Sequence, residues 1–292
     1  MSKQQPGYTL IELLISLFLG SILILGFGSL FVQTQKSAVI QRSLSYMMED
    51  GRYLLEVMGR ELRRTNSLRS KMSISGNAQI VFVQENNVLD SKLLGSQIDF
   101  NSGDYIRGTS NTVALRYQLI DKKELAIPDP NSPNSLNSPN SICERNLLLM
   151  NGEDPASTHV VTLYFYVALD SANIPVLYCN AKRVNFSGAP ITPVISSAEP
   201  LISNVQQLLI SYGIDTDADN SPHYFISGTT GISTISPTEW QQVRVVKLTA
   251  VLRSDADNLA TTPINYTVNG VTNTATDKRL YRVFSTTIAF RN

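Results

Sequence analysis

The sequence predicts an α+β protein in which one long N-terminal helix packs on antiparallel β-sheet. An uncharged apolar run near the start continues into apolar residues spaced by three and four, which is typical of a helix. From about Lys71 onward the apolar period changes to two, which is typical of half-buried strands, and no stretch with a helical period separates them. The apolar stripe of the helix and the apolar face of the sheet must both be buried, and packing the helix on the sheet buries both.

The first element is an apolar segment that can span a membrane. Residues 13–35 carry no charge, and a helix rising about 1.5 Å per residue crosses a hydrocarbon core of about 30 Å within that length. The run is too long for a secretory signal peptide, and the residues behind it form a poor cleavage site. Lys3 favours a cytoplasmic N-terminus and export of the remaining chain, although Lys36 and Arg42 favour the opposite orientation.

A single carboxylate, Glu12, lies near the start of this apolar segment. A charged side chain at mid-bilayer costs about 2.5–3.5 kcal/mol and usually has a partner. One interpretation is that Glu12 reaches the lipid headgroups. The other is that the chain is cut between Gly7 and Tyr8, so that the new α-amine of Tyr8 lies one helical turn from Glu12 of its own or a neighbouring chain. Both interpretations stay open on position alone.

The helix is predicted to continue beyond the apolar segment as an amphipathic helix to about Thr65. The opposite face is charged and includes Glu56 and Arg60 at the favourable i,i+4 spacing. Gly51, on the apolar stripe, marks either a close contact or a tolerated glycine. The stripe consists of Ile40, Leu44, Met47, Gly51, Leu54, Met58 and Leu62.

Several runs that follow have the composition and alternation of β-strands. Residues 160–169 are apolar on both faces, which favours a central strand. The runs are 80–84, 112–120, 160–169, 205–214, 243–252 and 281–290.

The two cysteines, Cys143 and Cys179, lack CxxC spacing and a nearby histidine, so a metal site or redox catalysis is not indicated. In an exported domain such a pair is expected to form a disulfide. Closing a loop of about 36 residues stabilises a fold by roughly 4 kcal/mol in the chain-entropy model. Residues 128–141, in which Asn-Ser-Pro-Asn-Ser occurs twice, are expected to be a surface insertion whose base the disulfide ties. Recognition of a partner by this insertion is the alternative to a simple tolerated loop.

Three aspartates at alternate positions, Asp215, Asp217 and Asp219, resemble a loop that binds Ca²⁺ through hard oxygens. The calcium-loop pattern requires glycine at its sixth position and glutamate at its twelfth, where this chain has Asn220 and Ile226. We therefore expect a polar turn, with a weak Ca²⁺ site as the alternative, and no cofactor.

The sequence does not indicate an enzyme or a nucleic-acid-binding protein. His159 and His223 are the only histidines, and P-loop, Gly-x-Ser-x-Gly and HExxH motifs are absent. The formal net charge is zero and no long basic or acidic block occurs, so nucleic acid is not an expected partner.

The segment GYTLIELLISL, from Gly7 to Leu17, closely resembles the processing site of type IV prepilins and type II secretion pseudopilins. In those families a short polar leader ends in glycine, an aromatic residue or methionine follows, and glutamate is the fifth mature residue. The resemblance implies that a membrane aspartyl prepilin peptidase cuts after Gly7 and methylates the amine of Tyr8. It also implies that Glu12 guides assembly into a helical pilus, as the apolar helix moves from the inner membrane into the filament core.

Four further blocks, 50–64, 201–219, 240–254 and 277–292, are similar to blocks of PilW-type minor pilins. The resemblance implies a pilin-like fold whose globular domain lies in the periplasm. The implied organisation is a leader at 1–7, a transmembrane and filament-core helix at 8–35, its amphipathic continuation at 36–70, and a β-rich periplasmic domain at 71–292 with the insertion at 128–141.

The function implied by this resemblance is structural. The chain would be a minor pilin that helps to initiate type IV pilus assembly, together with other minor pilins and the major pilin, and that lies at the pilus tip beneath a tip adhesin. A tip pseudopilin of a type II secretion system is the alternative with the same N-terminal segment. A further alternative is a membrane-anchored periplasmic binding protein whose leader is never cut.

Overall fold

A computed structural model describes residues 9–65, 98–118, 143, 159–185 and 198–290. Within these ranges a long helix is followed by antiparallel sheets, which confirms the predicted α+β class. The helices are α1 (Leu10–Arg64), α2 (Gly228–Ser233) and α3 (Pro237–Gln241). The strands are β1 (Ile106–Gly108), β2 (Thr112–Gln118), β3 (His159–Leu169), β4 (Pro175–Asn185), β5 (Glu199–Ser203), β6 (Val205–Ile214), β7 (Tyr224–Ser227), β8 (Val243–Arg253), β9 (Asn265–Val268), β10 (Val271–Thr274) and β11 (Tyr281–Ala289).

Helix α1 runs unbroken through the apolar segment and its amphipathic continuation. It has 55 residues, which at about 1.5 Å per residue gives a length of about 82 Å. Arg63 and Arg64 lie in its last turn, where cations interact favourably with the helix dipole. Its buried residues all fall between Met47 and Leu62. Only the distal half of the helix therefore belongs to the globular domain.

The first sheet is an antiparallel meander in the order β1-β2-β3-β4-β5. Its central strand, β3, is buried on both faces, as its composition predicts. Leu163 and Phe165 belong to the main core, while Tyr164 packs on the other side with Phe100 and Ala114. This sheet is consequently covered on both faces at its centre.

The second sheet has the order β11-β8-β6-β7 and is also antiparallel. Val246, Leu248 and Ala250 of β8 lie on one face and are fully buried. Ile288 and Phe284 of β11 pair with Val246 and Ala250, so they lie on the same face. This face forms one wall of the core.

The apolar stripe of α1 packs on that face of the second sheet. Leu54, Met58 and Leu62 are fully buried and belong to the same core as residues of both sheets. Gly51 lies against the ring of Phe284. The core is therefore shared by the distal half of α1 and the two sheets. The stripe predicted from the three-four spacing is confirmed from Met47 to Leu62, whereas Ile40 and Leu44 are half-buried and lie outside this core.

Tyr105, just before β1, joins the first sheet to the second. Its hydroxyl donates to the backbone carbonyl of Val243, and it accepts a hydrogen bond from Nη1 of Arg244 at 2.6 Å. Burial raises the pKa of Tyr105 to about 12, although the neighbouring Arg244 acts in the opposite direction. The neutral hydroxyl thus holds the start of β8 close to β1.

A short hairpin of β9 and β10 is attached to the beginning of β11. Its two turn residues, Asn269 and Gly270, both have positive φ angles, 49° and 82°, as the tight type I′ turn requires. Tyr266 of β9 stacks on Tyr281 of β11 with ring centroids 5.1 Å apart. This contact fixes the hairpin to the second sheet.

Some predicted features lie outside the described residues. They are the leader and its cleavage site at Gly7 and Tyr8, the strand at 80–84, and the insertion at 128–141.

Candidate functional site

The proximal half of α1 extends away from the globular domain. Every large apolar side chain from Leu10 to Val32 is exposed. The exposed fractions of Ile24 and Leu25, near the middle of this segment, are 73% and 74%. Within the part of the chain that the structure describes, α1 is the one helix long and apolar enough to cross a membrane. An apolar surface of this extent is unfavourable in water. It therefore requires a cover of lipid or of other protein chains.

The first turn of this apolar segment is closed by a capping box between Thr9 and Glu12. Oε2 of Glu12 accepts hydrogen bonds from the amide and the hydroxyl of Thr9, both at 2.9 Å, and the amide of Glu12 donates to Oγ1 of Thr9 at 3.4 Å. The Glu12 carboxylate thus has a partner in its own chain, one residue from the amine that cleavage after Gly7 would create. The pairing of Glu12 with that amine involves Tyr8, which lies outside the described residues.

Thr9 is a residue that the sequence reasoning missed. The signal was present, because threonine followed three residues later by glutamate and then by an apolar run is the pattern of a capping box. The pattern gives Glu12 a role without a second chain, because its carboxylate satisfies two donors at the helix N-terminus, where negative charge is favourable.

Cys143 and Cys179 form the disulfide that the sequence predicts. Their Cα atoms are 5.5 Å apart, within the usual range for a disulfide. Cys179 lies on β4 and is fully buried in the main core with Cys143. The bond consequently ties Cys143, which follows the insertion, to the centre of the first sheet.

The aspartate loop after β6 is built as a series of turns. Oδ1 of Asp215 accepts hydrogen bonds from the amides of Asp217 and Ala218, at 3.3 and 2.8 Å, and its Oδ2 accepts from the amide of Asn220 at 2.9 Å. Burial alone would raise the pKa of Asp215, but these three amides outweigh it and lower the pKa below its ordinary value. The buried carboxylate therefore serves as the internal acceptor that holds the loop.

The same loop brings a histidine to the aspartates. Ligand atoms of Asp215, Asp217 and His223 lie within 4.8 Å of one another, whereas Asp219 is not part of this group. Asp219 instead accepts from the amide of Ser221 at 2.7 Å. Nε2 of His223 lies 3.3 Å from Oδ2 of Asp217. These bonds fit the polar turn expected from the sequence, and the alternative of a weak Ca²⁺ site stays a prediction.

Two protein-family models match this chain, one near each end. Residues 164–292 match the family described as Type IV Pilus-assembly protein W, and residues 2–28 match the prokaryotic N-terminal methylation motif. The C-terminal region of the chain is that of a PilW type IV pilus assembly protein, and its N-terminus carries a prepilin motif. Comparisons with curated proteins and with solved structures give no match.

The two matches lie at the two ends of the chain and leave residues 29–163 unmatched. The methylation motif includes Gly7, Tyr8 and Glu12, and the PilW match runs from within β3 to the C-terminus. Proteins of the pilin family are structural subunits and not enzymes. The exposed apolar half of α1 is thus the part of a prepilin that resides in the inner membrane before it enters the pilus.

The prepilin motif carries two further consequences. It implies processing by a prepilin peptidase and assembly with other pilins. The bare apolar surface from Leu10 to Val32 is consistent with both, since lipid covers it before assembly and neighbouring helices cover it afterwards.

Proposed function

We propose that this chain is a minor pilin of the PilW family that helps to initiate type IV pilus assembly and remains in the tip complex with other minor pilins, the major pilin and a tip adhesin. The observation that carries the proposal is the division of α1 at about its middle. The proximal half has no protein cover among the described residues, and the distal half is built into the core of a β-rich domain. Such a subunit can add to a bundle of helices without unfolding its own domain.

In this proposal the peptidase cuts between Gly7 and Tyr8, and the Tyr8 amine is methylated. Glu12 then pairs with that amine in its own chain or in a neighbouring subunit, which would neutralise two charges in an apolar bundle. The capping box supports this role, because it already orients the Glu12 carboxylate toward the amide of Thr9, the residue that follows Tyr8. The tip position is supported by the similarity to PilW-type minor pilins.

Deletion of the gene, followed by complementation with the wild-type gene, tests the proposal. We expect the deletion strain to lose most surface pili and the complemented strain to regain them, while secretion of exported enzymes stays normal. Intact piliation with lost secretion would instead identify a tip pseudopilin of a type II secretion system. Immunogold labelling of sheared pili tests the tip position, and label spread evenly along the filaments would contradict it.

N-terminal sequencing of the membrane-extracted protein tests processing separately. We expect a mature chain that begins with methylated Tyr8. A chain that still begins with residues 1–7 would identify the uncleaved membrane-anchored binding protein and would rule out entry into a pilus.

A further inference from the structure

A groove runs between the distal half of α1 and the edge of the first sheet. Its volume is about 970 Å³, and it is lined by residues of α1 between Gln41 and Glu56 and by Leu201 and Ile202 of β5. Gly51, within the same stretch of α1, lies against Phe284 of the second sheet. The helix is therefore packed closely on one sheet and separated from the edge of the other.

The groove carries an excess of negative charge. Glu49, Asp50 and Glu56 line it together with a single cation, Arg52. Within the described part of the chain none of these three carboxylates forms an ion pair or a side-chain hydrogen bond. Arg60, which the sequence places one turn after Glu56, instead donates from Nε to Glu61 at 3.2 Å.

The surroundings of Asp50 disfavour the charged form of its carboxyl group. Partial burial raises the pKa of Asp50 above its ordinary value, and the adjacent Glu49 carboxylate raises it further. A cation placed in the groove would lower the free energy of both carboxylates. The groove is thus electrostatically complementary to a basic group.

Part of the remaining lining is apolar and borders the terminal strand of the first sheet. Leu44, Met48, Leu201 and Ile202 contribute apolar side chains, and Met48 is 37% exposed. β5 is the terminal strand of its sheet, with no partner beyond it among the described strands. Its pairing with β4 also contains a bulge, because Ile202 and Pro200 have partners on β4 and Leu201 has none. The bulge and Pro200 blunt this edge for strand pairing, so a partner would be held by the apolar side chains and the charge of the groove.

We propose that this groove binds a segment of another pilin subunit in which Lys or Arg side chains accompany large apolar side chains. The proposal deepens the proposed function, on which it rests, by assigning the surface that contacts a neighbouring subunit. Gln41, the first residue of α1 that lines the groove, lies nine residues beyond Val32, the end of the exposed apolar run, so the groove begins about 14 Å above it along the helix. A partner anchored in the same membrane can reach this level.

A second copy of this chain is a poorer occupant. Identical apolar segments would anchor both copies at the same depth, so the second copy would bring its own Glu49, Asp50 and Glu56 to the same level. Like charges at close range are unfavourable. A different subunit with basic residues at that level avoids the repulsion.

Site-specific photocrosslinking of the full-length chain in piliated cells tests the proposal. Benzoylphenylalanine replaces Met48 inside the groove, or Tyr46, which is 61% exposed on the same helix and does not line the groove. We expect Met48 to give a crosslink to another pilin, and mass spectrometry of the joined peptide to show Lys or Arg beside apolar residues. Tyr46 serves as the control for non-specific neighbours.

Two charge-matched double variants sharpen the result. Glu49→Gln with Asp50→Asn removes two negative charges from the groove, and we expect it to lower the crosslink yield from Met48 about tenfold, since two exposed ion pairs together are worth that much. Asp255→Asn with Asp257→Asn removes the same charge from an exposed loop outside the groove, and we expect an unchanged yield.

Four results would overturn the proposal: equal yields from both double variants, a yield from Met48 no higher than from Tyr46, a joined peptide from a second copy of this chain, or one without basic residues. The proposed function can fail separately. If the deletion strain keeps its pili, the proposed function fails. The groove proposal fails alone in a different case. There the deletion strain loses its pili and the wild-type gene restores them, but the crosslink from Met48 gives one of the four results above.

Discussion

Gly51 of α1 lies directly against the aromatic ring of Phe284 on β11. A Cβ atom added at Gly51 would lie 2.6 Å from Cδ1 of that ring, closer than side chains pack. The glycine therefore lets the amphipathic half of α1 approach the second sheet, and it sets the depth at which the helix enters the core. Of the two readings of Gly51 that the sequence leaves open, the structure supports the close contact.

We expect Gly51→Ala to destabilise the domain by about 1–3 kcal/mol, because overpacking of the Phe284 ring outweighs the gain in helix propensity. Urea unfolding of the full-length protein in detergent measures the change. Gly59→Ala is the matched control, since a Cβ there would meet its nearest neighbour, Arg63, at an ordinary 3.4 Å, and we expect it to be neutral or stabilising. Phe284→Leu should partly rescue Gly51→Ala; a rescue that fails would show that the ring is not the obstacle.

Replacing Cys143 and Cys179 together by serine is expected to lower the free energy of unfolding by up to about 4 kcal/mol, because the unfolded chain regains the entropy of an open loop. Thermal unfolding with and without a reductant measures it. Wild type should lose stability on reduction, whereas the double variant should not respond. A reductant effect of equal size in both proteins would contradict an assignment to this disulfide.

Glu12→Ala is expected to leave cleavage after Gly7 intact but to reduce surface pili strongly, since the variant lacks the carboxylate that pairs with the amine of a subunit. Immunoblotting for the mature chain and counts of pili by electron microscopy measure the two effects.

Thr9→Ala distinguishes the two partners of the Glu12 carboxylate, which are the capping residue Thr9 and the amine of Tyr8. It removes the hydroxyl of the capping box at a cost of about 1 kcal/mol while it keeps Glu12, so piliation should stay close to wild type. If Thr9→Ala lost pili as completely as Glu12→Ala, Glu12 would act through the cap of its own helix and not through pairing with an amine.

Asp215→Asn is expected to destabilise the loop after β6 at neutral pH, because the amide side chain is a weaker acceptor for the three backbone amides that Asp215 binds. The folded-state pKa of Asp215 is lowered, so its contribution is present above the unfolded pKa and is lost as pH falls through the folded pKa. Wild type should therefore lose more stability than the variant below about pH 4. Equal acid sensitivity of the two proteins would contradict this role.

Calorimetry with Ca²⁺ tests the alternative use of the same loop. We expect no heat of binding at millimolar Ca²⁺ in the wild-type protein, because the Asp215 oxygens already accept backbone hydrogen bonds. A binding heat that disappears in Asp215→Asn would instead establish the weak ion site.

Tyr105→Phe is expected to reduce the sensitivity of the domain to alkali. The pKa of Tyr105 is raised to about 12 in the folded protein, above its ordinary value of about 10. Its contribution is therefore complete below pH 10 and is lost as pH rises from about 10 to 12. Thermal unfolding across this range compares the variant with wild type, and parallel curves would show that Tyr105 does not contribute.

Much of the candidate site could be read from the sequence because its signals are local. The uncharged run to Gln35, the capping pattern of Thr9 and Glu12, and the change of period near Lys71 each depend on residues close together in the chain. The aspartate loop is similar: its turns use donors within five residues of Asp215. Thr9 shows that a local signal can be present and still be missed.

The sequence by itself therefore determined the long helix, its division into an apolar and an amphipathic half, the presence of antiparallel strands and the prepilin motif. Only the tertiary structure decided which strands are neighbours, that Gly51 meets Phe284, and that α1 stands apart from β5 to leave an acidic groove. The physical reason is that a helix or strand pattern repeats over a few residues. The contact between Gly51 and Phe284, or the gap between Met48 and Leu201, depends on the packing of segments that lie more than a hundred residues apart.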